Sequence, residues 1–205
     1  MSRLFLFGAA SLAALGFAAC GNNTDTTAMN TPAETPAAME TASANNADNM
    51  AKEAQDFVNN AGQANLVEIR TSEMALEKST NADVKAFAQK MIDDHKAALD
   101  KIKATASSAS LMAPPEALDD FHMRRINDLT ETDGDADFDA DYAALQVDAH
   151  NDAIKLFEDY SRDSDATPEL KALADEMLPT LNEHKTMAET LRDNVNKAPG
   201  ATNPS

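Results

Sequence analysis

Three histidines sit where a soluble helix usually buries hydrocarbon. His95 lies in "MIDDHKAAL", His150 in "VDAHNDAI" and His184 in "LNEHKTMA", each with apolar residues three and four positions away. On a helix this spacing places the imidazole inside the apolar stripe, so His95 shares a face with Met91, Ile92, Leu99 and Ile102. Burying a neutral imidazole without partners costs about 1–3 kcal/mol per unmet polar group, so three in one core call for a shared purpose. Glu68 falls in a fourth such stripe, with Phe57, Ala61, Ala64 and Ala75. Counted from the first interhelical loop at roughly 1.5 Å per residue, Glu68 and His95 lie at nearly one height, whereas His150 and His184 differ by about 6 Å. One inward ionisable group per helix at mid-height is how helical bundles build metal and cofactor sites. Neutral imidazoles with one carboxylate suit a single zinc, copper or iron ion, so Glu68, His95, His150 and His184 form the candidate metal or small-ligand set. A second reading stays open, in which the same four groups form a buried hydrogen-bond network that selects one packing.

Other chemistries are weaker. A di-iron bundle needs Glu-x-x-His on two helices, but Ile92 precedes His95 and Leu181 precedes His184 by three, which argues against ferroxidase or oxygenase catalysis. Asp94, Asp148 and Glu183 stand one or two residues from the histidines and point to neighbouring helices or to solvent, as supporting groups or as solvated charges. Met91 and Met187 share faces with His95 and His184; soft sulfur would suit Cu(I), although methionine more often fills gaps in a core. "DGDADFDAD" fails as an EF-hand, because counting from Asp133 puts Phe138 at the sixth position and Ala144 at the twelfth. Its aspartates suit a helix N-terminus. His122 shares no stripe with the other three and is expected at the surface. No glycine-rich phosphate loop and no Gly-x-Ser-x-Gly elbow occurs, and no enzymatic activity is expected.

The elements that must position these residues are helices. The chain has 205 residues, no Trp, 5% aromatics and abundant Ala, Leu, Met, Lys and Glu. Periodicity predicts helices from about Met50 to Ser79, from the "TNAD" cap at Thr80 or Asn81 through Ile102, from about Phe138 to Ser161, and from Pro168 to Leu191 with Thr167 as cap. A second stripe on the first helix runs through Leu66, Ile69 and Leu76. Pro179 lies inside the last helix, removes a bond to Asp175 and predicts a kink before His184. Short loops make two antiparallel hairpins. A connector of about 35 residues, with Pro114 and Pro115 and a short helix through Leu118, Phe121, Ile126 and Leu129, crosses between them. The expected fold class is therefore all-α, a ferritin-like four-helix bundle of two hairpins joined by a long crossover.

The ends of the chain read as address and tether. Residues 1–19 carry Arg3 and an apolar run of about 16 residues ending in small ones, too short for an ordinary membrane span, and predict a signal peptide. Cys20, the only cysteine, follows Ala18 and Ala19 and resembles a bacterial lipobox, with Phe17 where Leu is usual. Lipidation there predicts a membrane anchor, and Gly21 after the cysteine resembles outer-membrane rather than inner-membrane sorting. Residues 20–49 lack Leu, Ile, Val and aromatics and are expected to form a disordered tether; 50–195 is the folded domain and 196–205 a disordered tail. With 17 Lys plus Arg against 35 Asp plus Glu, a formal net charge of -18 opposes nucleic-acid binding, leaving a metal ion or an envelope protein as partners.

Taken together, "ANLVEIRTSEMALEKSTNADVKAFAQKMIDDHKAALDKI", "FDADYAALQVDAH" and "LPTLNEHKTMAETL" resemble the bacterial domain-of-unknown-function 4142 family over about residues 53 to 194. The resemblance implies a ferritin-like bundle in the envelope and places Glu68, His95, His150, Pro179 and His184 on recurrent positions; Leu99 and Ala149 depart from the family pattern. It implies no established reaction.

Overall fold

The computed structural model describes residues 36–132 and 135–197. Five helices follow in order: α1 Pro36–Lys78, α2 Ala82–Ser108, α3 Asp120–Thr130, α4 Asp135–Arg162 and α5 Pro168–Val195. The described residues contain no strand. The long helices pair as α1 with α2 and α4 with α5, and the hairpins meet through α1 against α4 and α2 against α5. The result is an all-α, ferritin-like four-helix bundle with α3 lying across α1 and α4. No helix of the described residues is long and apolar enough to cross a membrane. The expected signal peptide, Cys20, Asp133 and the tail beyond Lys197 lie outside the described residues.

The first hairpin turns over three residues. Ser79 is buried and its Oγ accepts from the Asn81 N–H, while the Asn81 side chain caps α2 by accepting from the Asp83 N–H at 2.9 Å. Asn81, not Thr80, is therefore the cap. At α5, Pro168 takes the first helical position as expected, but the Thr167 hydroxyl makes no capping bond. The Thr167 N–H donates instead to the Tyr160 hydroxyl at 3.2 Å. The first helix begins at Pro36, ahead of the expected start at Met50, so part of the segment read as tether is helical. The physical reason is that "PAAMETASANNADNMAKEA" is rich in strong helix formers even without the large apolar residues used to find a core.

Two apolar clusters fill the bundle, separated along its axis. One joins Met74, Val84, Phe87, Met91, Phe138, Tyr142 and Leu191, with Ile126 and Leu129 of α3 covering it. The other joins Phe57, Val58, Ile102, Phe157, Tyr160, Leu170 and Leu173. Phe57 stacks on Tyr160 at 4.0 Å and meets Phe157 edge-on at 5.1 Å. The second stripe expected on α1 is only half-buried at Leu66, Ile69 and Leu76. Val58, Val67, Thr71 and Ser72 are buried instead.

The connector is strapped to α1 by two glutamines. Gln55 donates to the Met112 carbonyl at 3.2 Å and accepts from its N–H at 2.8 Å. Gln63 does the same with the Ala117 carbonyl, 2.9 Å, and the Asp119 N–H, 3.1 Å. Between them Gly62 lets Pro114 lie against the helix, since a Cβ at Gly62 would stand 2.3 Å from the Pro114 Cβ. This strap delivers α3, capped by Asp119, onto the α1/α4 groove. Phe121, expected among its apolar contacts, is 58% exposed.

Candidate metal centre

The layer between the two clusters is polar. On α1 it contains Asn65, Glu68, Thr71 and Ser72; on α2, His95; on α4, Gln146 and His150; on α5, His184; all are buried. Ser72 pairs with the Tyr142 hydroxyl at 2.8 Å, and the Gln146 amide donates to Thr71 Oγ1 at 3.3 Å. Burial pushes the Tyr142 hydroxyl well above its ordinary range, so it stays a neutral hydrogen-bonding group.

Within this layer the three imidazoles form a nearly equilateral triangle. Ring centroids are 5.5 Å apart for His95 and His150, and 5.4 Å for each of these with His184. The offset of about 6 Å expected between His150 and His184 does not keep the two rings apart.

Each ring is held by its outer nitrogen. His95 Nδ1 meets Asn65 Oδ1 at 2.9 Å, His150 Nδ1 meets the Gln146 carbonyl at 2.8 Å, and His184 Nε2 meets Asp94 Oδ2 at 2.8 Å. The Asn65 amide is oriented by donating to the Ala61 carbonyl at 2.7 Å, which leaves its oxygen for the histidine. All three partners are acceptors, so the ring nitrogens that face them carry the protons. The other nitrogens, His95 Nε2, His150 Nε2 and His184 Nδ1, are consequently bare lone pairs, and each is buried without a hydrogen-bond partner. One ring nitrogen from each of the three histidines lies within 4.8 Å of the other two. Three acceptors cannot satisfy each other; a cation can satisfy all three at once. Fixing the tautomer through an outer oxygen is the arrangement that metal-binding histidines use.

Electrostatics agree with neutral rings at His95 and His184. Burial, then the neighbouring His150 and His184, holds His95 well below its ordinary value. Burial also lowers His184, although the Asp94 hydrogen bond opposes it. Burial works to raise Asp94, but hydrogen bonds from Lys90 and His184 outweigh it and keep the carboxylate low. Asp94 is therefore an ionised anchor, with Lys90 Nζ at 2.7 Å from the same oxygen.

Glu68 is buried beside this triangle but is not a corner of it. Its carboxylate is 3.9 Å from His150 Nδ1, the outer nitrogen, and neither carboxylate oxygen has a hydrogen-bond partner. Burial pushes its carboxyl up, with His150 and then the Gln146 side chain opposing. Of the four groups singled out by spacing, the fold thus joins three imidazoles and leaves Glu68 at their edge. Asp148 is exposed and Glu183 lies at a cavity mouth, so Asp94 alone of the three nearby acids holds a histidine. Met91 packs in the apolar cluster and Met187 against it. Pro179 is exposed and α5 continues through it. His122, expected at the surface, is mostly buried at 18% side-chain exposure and pairs with Asp119 at 2.7 Å. Asn65 and Gln146 escaped notice in the sequence; the only signal was an amide on an otherwise buried face.

A cavity of about 740 Å³ contains the triangle. Its lining reaches the surface on two sides, at Lys101 and Glu183 between α2 and α5, and at Asn60, His122 and Arg125 beneath α3.

The family described as "Domain of unknown function (DUF4142)" matches residues 39–191. The crystal structure of a DUF305 fragment from Deinococcus radiodurans is similar in fold, with a TM-score of 0.59 and 17% identity over 69% of this chain and 96% of that one. No curated protein matches in sequence.

Proposed function

We propose that this chain, which belongs to the DUF4142 family, is a lipid-anchored periplasmic bundle that binds one transition-metal ion without turning it over. The observation that carries the reading is the cluster of three buried imidazoles, each with one unpartnered ring nitrogen and the other held by an oxygen acceptor. The donor set suits zinc, copper or iron better than calcium or magnesium, which take oxygen ligands. Metal–nitrogen bonds of about 2.0–2.1 Å in a tetrahedral site put ligand nitrogens roughly 3.3 Å apart, so binding draws the rings inward from their present separation. Storage or buffering in the envelope is the role that fits a binding site lacking Glu-x-x-His pairs. The anchor reading rests on Cys20 after Ala18 and Ala19, with outer-membrane sorting suggested by Gly21.

Metal content after controlled loading tests the centre. The full chain is expected to retain about one ion, and the triple variant His95→Ala, His150→Ala, His184→Ala to retain none. Equal, negligible metal in both would leave the layer as a hydrogen-bond network. For the anchor, Cys20→Ala should move the protein from the membrane fraction to the soluble one. A second reading, contact with an envelope protein, is favoured by Met112, Phe121 and Met123, exposed at 72%, 58% and 42% on the connector and α3.

A further inference from the structure

Among the described residues, three imidazoles form the cluster and no fourth ligand joins them. Asp94 accepts from the outer nitrogen of His184, and the Glu68 carboxylate faces the outer nitrogen of His150, so neither lies inside the triangle. Met177 lines the cavity, but it is two helical turns from His184, with Leu181 between them. Met91 is enclosed in the apolar cluster. Four-coordinate metals with three protein ligands keep their last position for a molecule from solution.

The space beside the triangle is far larger than one water needs. A cavity of about 740 Å³ compares with the roughly 30 Å³ that a water occupies in the liquid. The room exists because small residues stand where a bundle core would carry Leu or Phe: Ala64 on α1, Ala98 on α2, and Ala149 and Ala153 on α4. Charge narrows the chemistry of the occupant. Three neutral imidazoles bring no negative charge to the ion itself, and ionised Asp94 acts only through the outer nitrogen of His184, so a divalent ion keeps positive charge at its open position. Each open side carries both signs with acids in excess, Lys101 with Glu176 and Glu183 on one and Arg125 with Asp119 and Asp152 on the other, so the pull on an anion comes from the ion and not from the lining.

Building on the metal reading above, we propose that the ion's remaining ligand is a small exchangeable anion that reaches it through the cavity. The centre is then an open ligand-binding site rather than a closed structural one, and its affinity for the metal rises with the anion.

The test is azide titration of the full chain loaded with Co(II), followed by visible absorption. A saturable change in the ligand-field bands is expected. Ala98→Leu fills the cavity from the α2/α5 side and Ala64→Leu from the α3 side; both leave all three histidines in place. Each variant should still bind cobalt, and at least one should weaken azide binding by roughly tenfold or more, identifying the route in use. A chain that holds cobalt through the three histidines while its spectrum ignores azide overturns this inference and leaves the metal reading standing. Azide binding equally strong in both filled variants overturns the cavity route and with it the proposal. A chain that takes up no cobalt overturns both readings together.

Discussion

The two apolar clusters and the layer between them are built from the same four helices by opposite rules. In the cluster of Phe57, Phe157 and Tyr160, every large side chain ends on another, and burial itself is the stabilising term. In the middle layer, six side-chain atoms of Glu68, His95, Gln146, His150 and His184 are buried without a hydrogen-bond partner. A core that needed only stability would place Leu at these positions. The contrast separates residues kept for folding from residues kept for a ligand, and it can be broken experimentally from either side.

The largest effect belongs to the apolar side. Phe157→Ala should lower the unfolding free energy by about 3–5 kcal/mol in chemical denaturation, with metal uptake per folded molecule unchanged. Substituting all three histidines by Leu should leave the metal-free chain equally stable or more so. Metal added at about a hundred times its dissociation constant stabilises the parent by about 2.7 kcal/mol, and that increment should vanish in the variant. A triple-Leu variant that unfolds would make the layer structural after all. Asn65→Ala releases the His95 ring from its outer support and should weaken metal binding about 10–100-fold in a competition titration, while the unmet His95 N–H costs about 1–3 kcal/mol of stability.

Acidity sharpens the comparison, because only the middle layer titrates there. Stability rises with pH wherever the unfolded chain holds more protons than the folded one. His95 and His184 are lowered from 6.5, so the metal-free protein should lose stability as pH falls below 6.5 toward their folded values. Glu68 is raised from 4.5 and acts in the opposite sense, costing stability as pH rises from 4.5 through its folded value. Glu68→Gln removes the second effect alone. Denaturation at a series of pH values should show the variant more stable than the parent near neutrality, with the acid-side loss intact. The smallest effect lies outside both regions: Ser110, at φ 60 after α2, should gain about 1 kcal/mol in thermal stability on substitution by Gly, with no effect on metal.

The helices and the three imidazoles were legible because both announce themselves by period. A histidine three or four residues from Met91, Leu99 or Leu181 has one face to occupy. What fixes the rings was not legible. Asn65 and His95 are thirty positions apart, and a helical asparagine is more often solvated than buried, so only the fold reveals the pair. Asp94 adjoins His95 in sequence yet serves His184, since consecutive helical residues diverge and this one turns toward α5. Glu68 shows the limit of counting height along helices, which brought it to the correct level but could not say which edge of His150 it would face. The strap made by Gln55, Gly62 and Gln63 left no periodic trace, because its partners are backbone groups of an irregular segment.

The three rings do not stand on equal footings. His95 and His150 lean on buried neutral oxygens, whereas His184 leans on Asp94, 36% exposed and tied to Lys90, itself 39% exposed. Dissolved ions screen an exposed pair and leave enclosed dipoles untouched. Ionic strength at the periphery will therefore be felt through one leg of the tripod, coupling the centre to the saltiness of its surroundings.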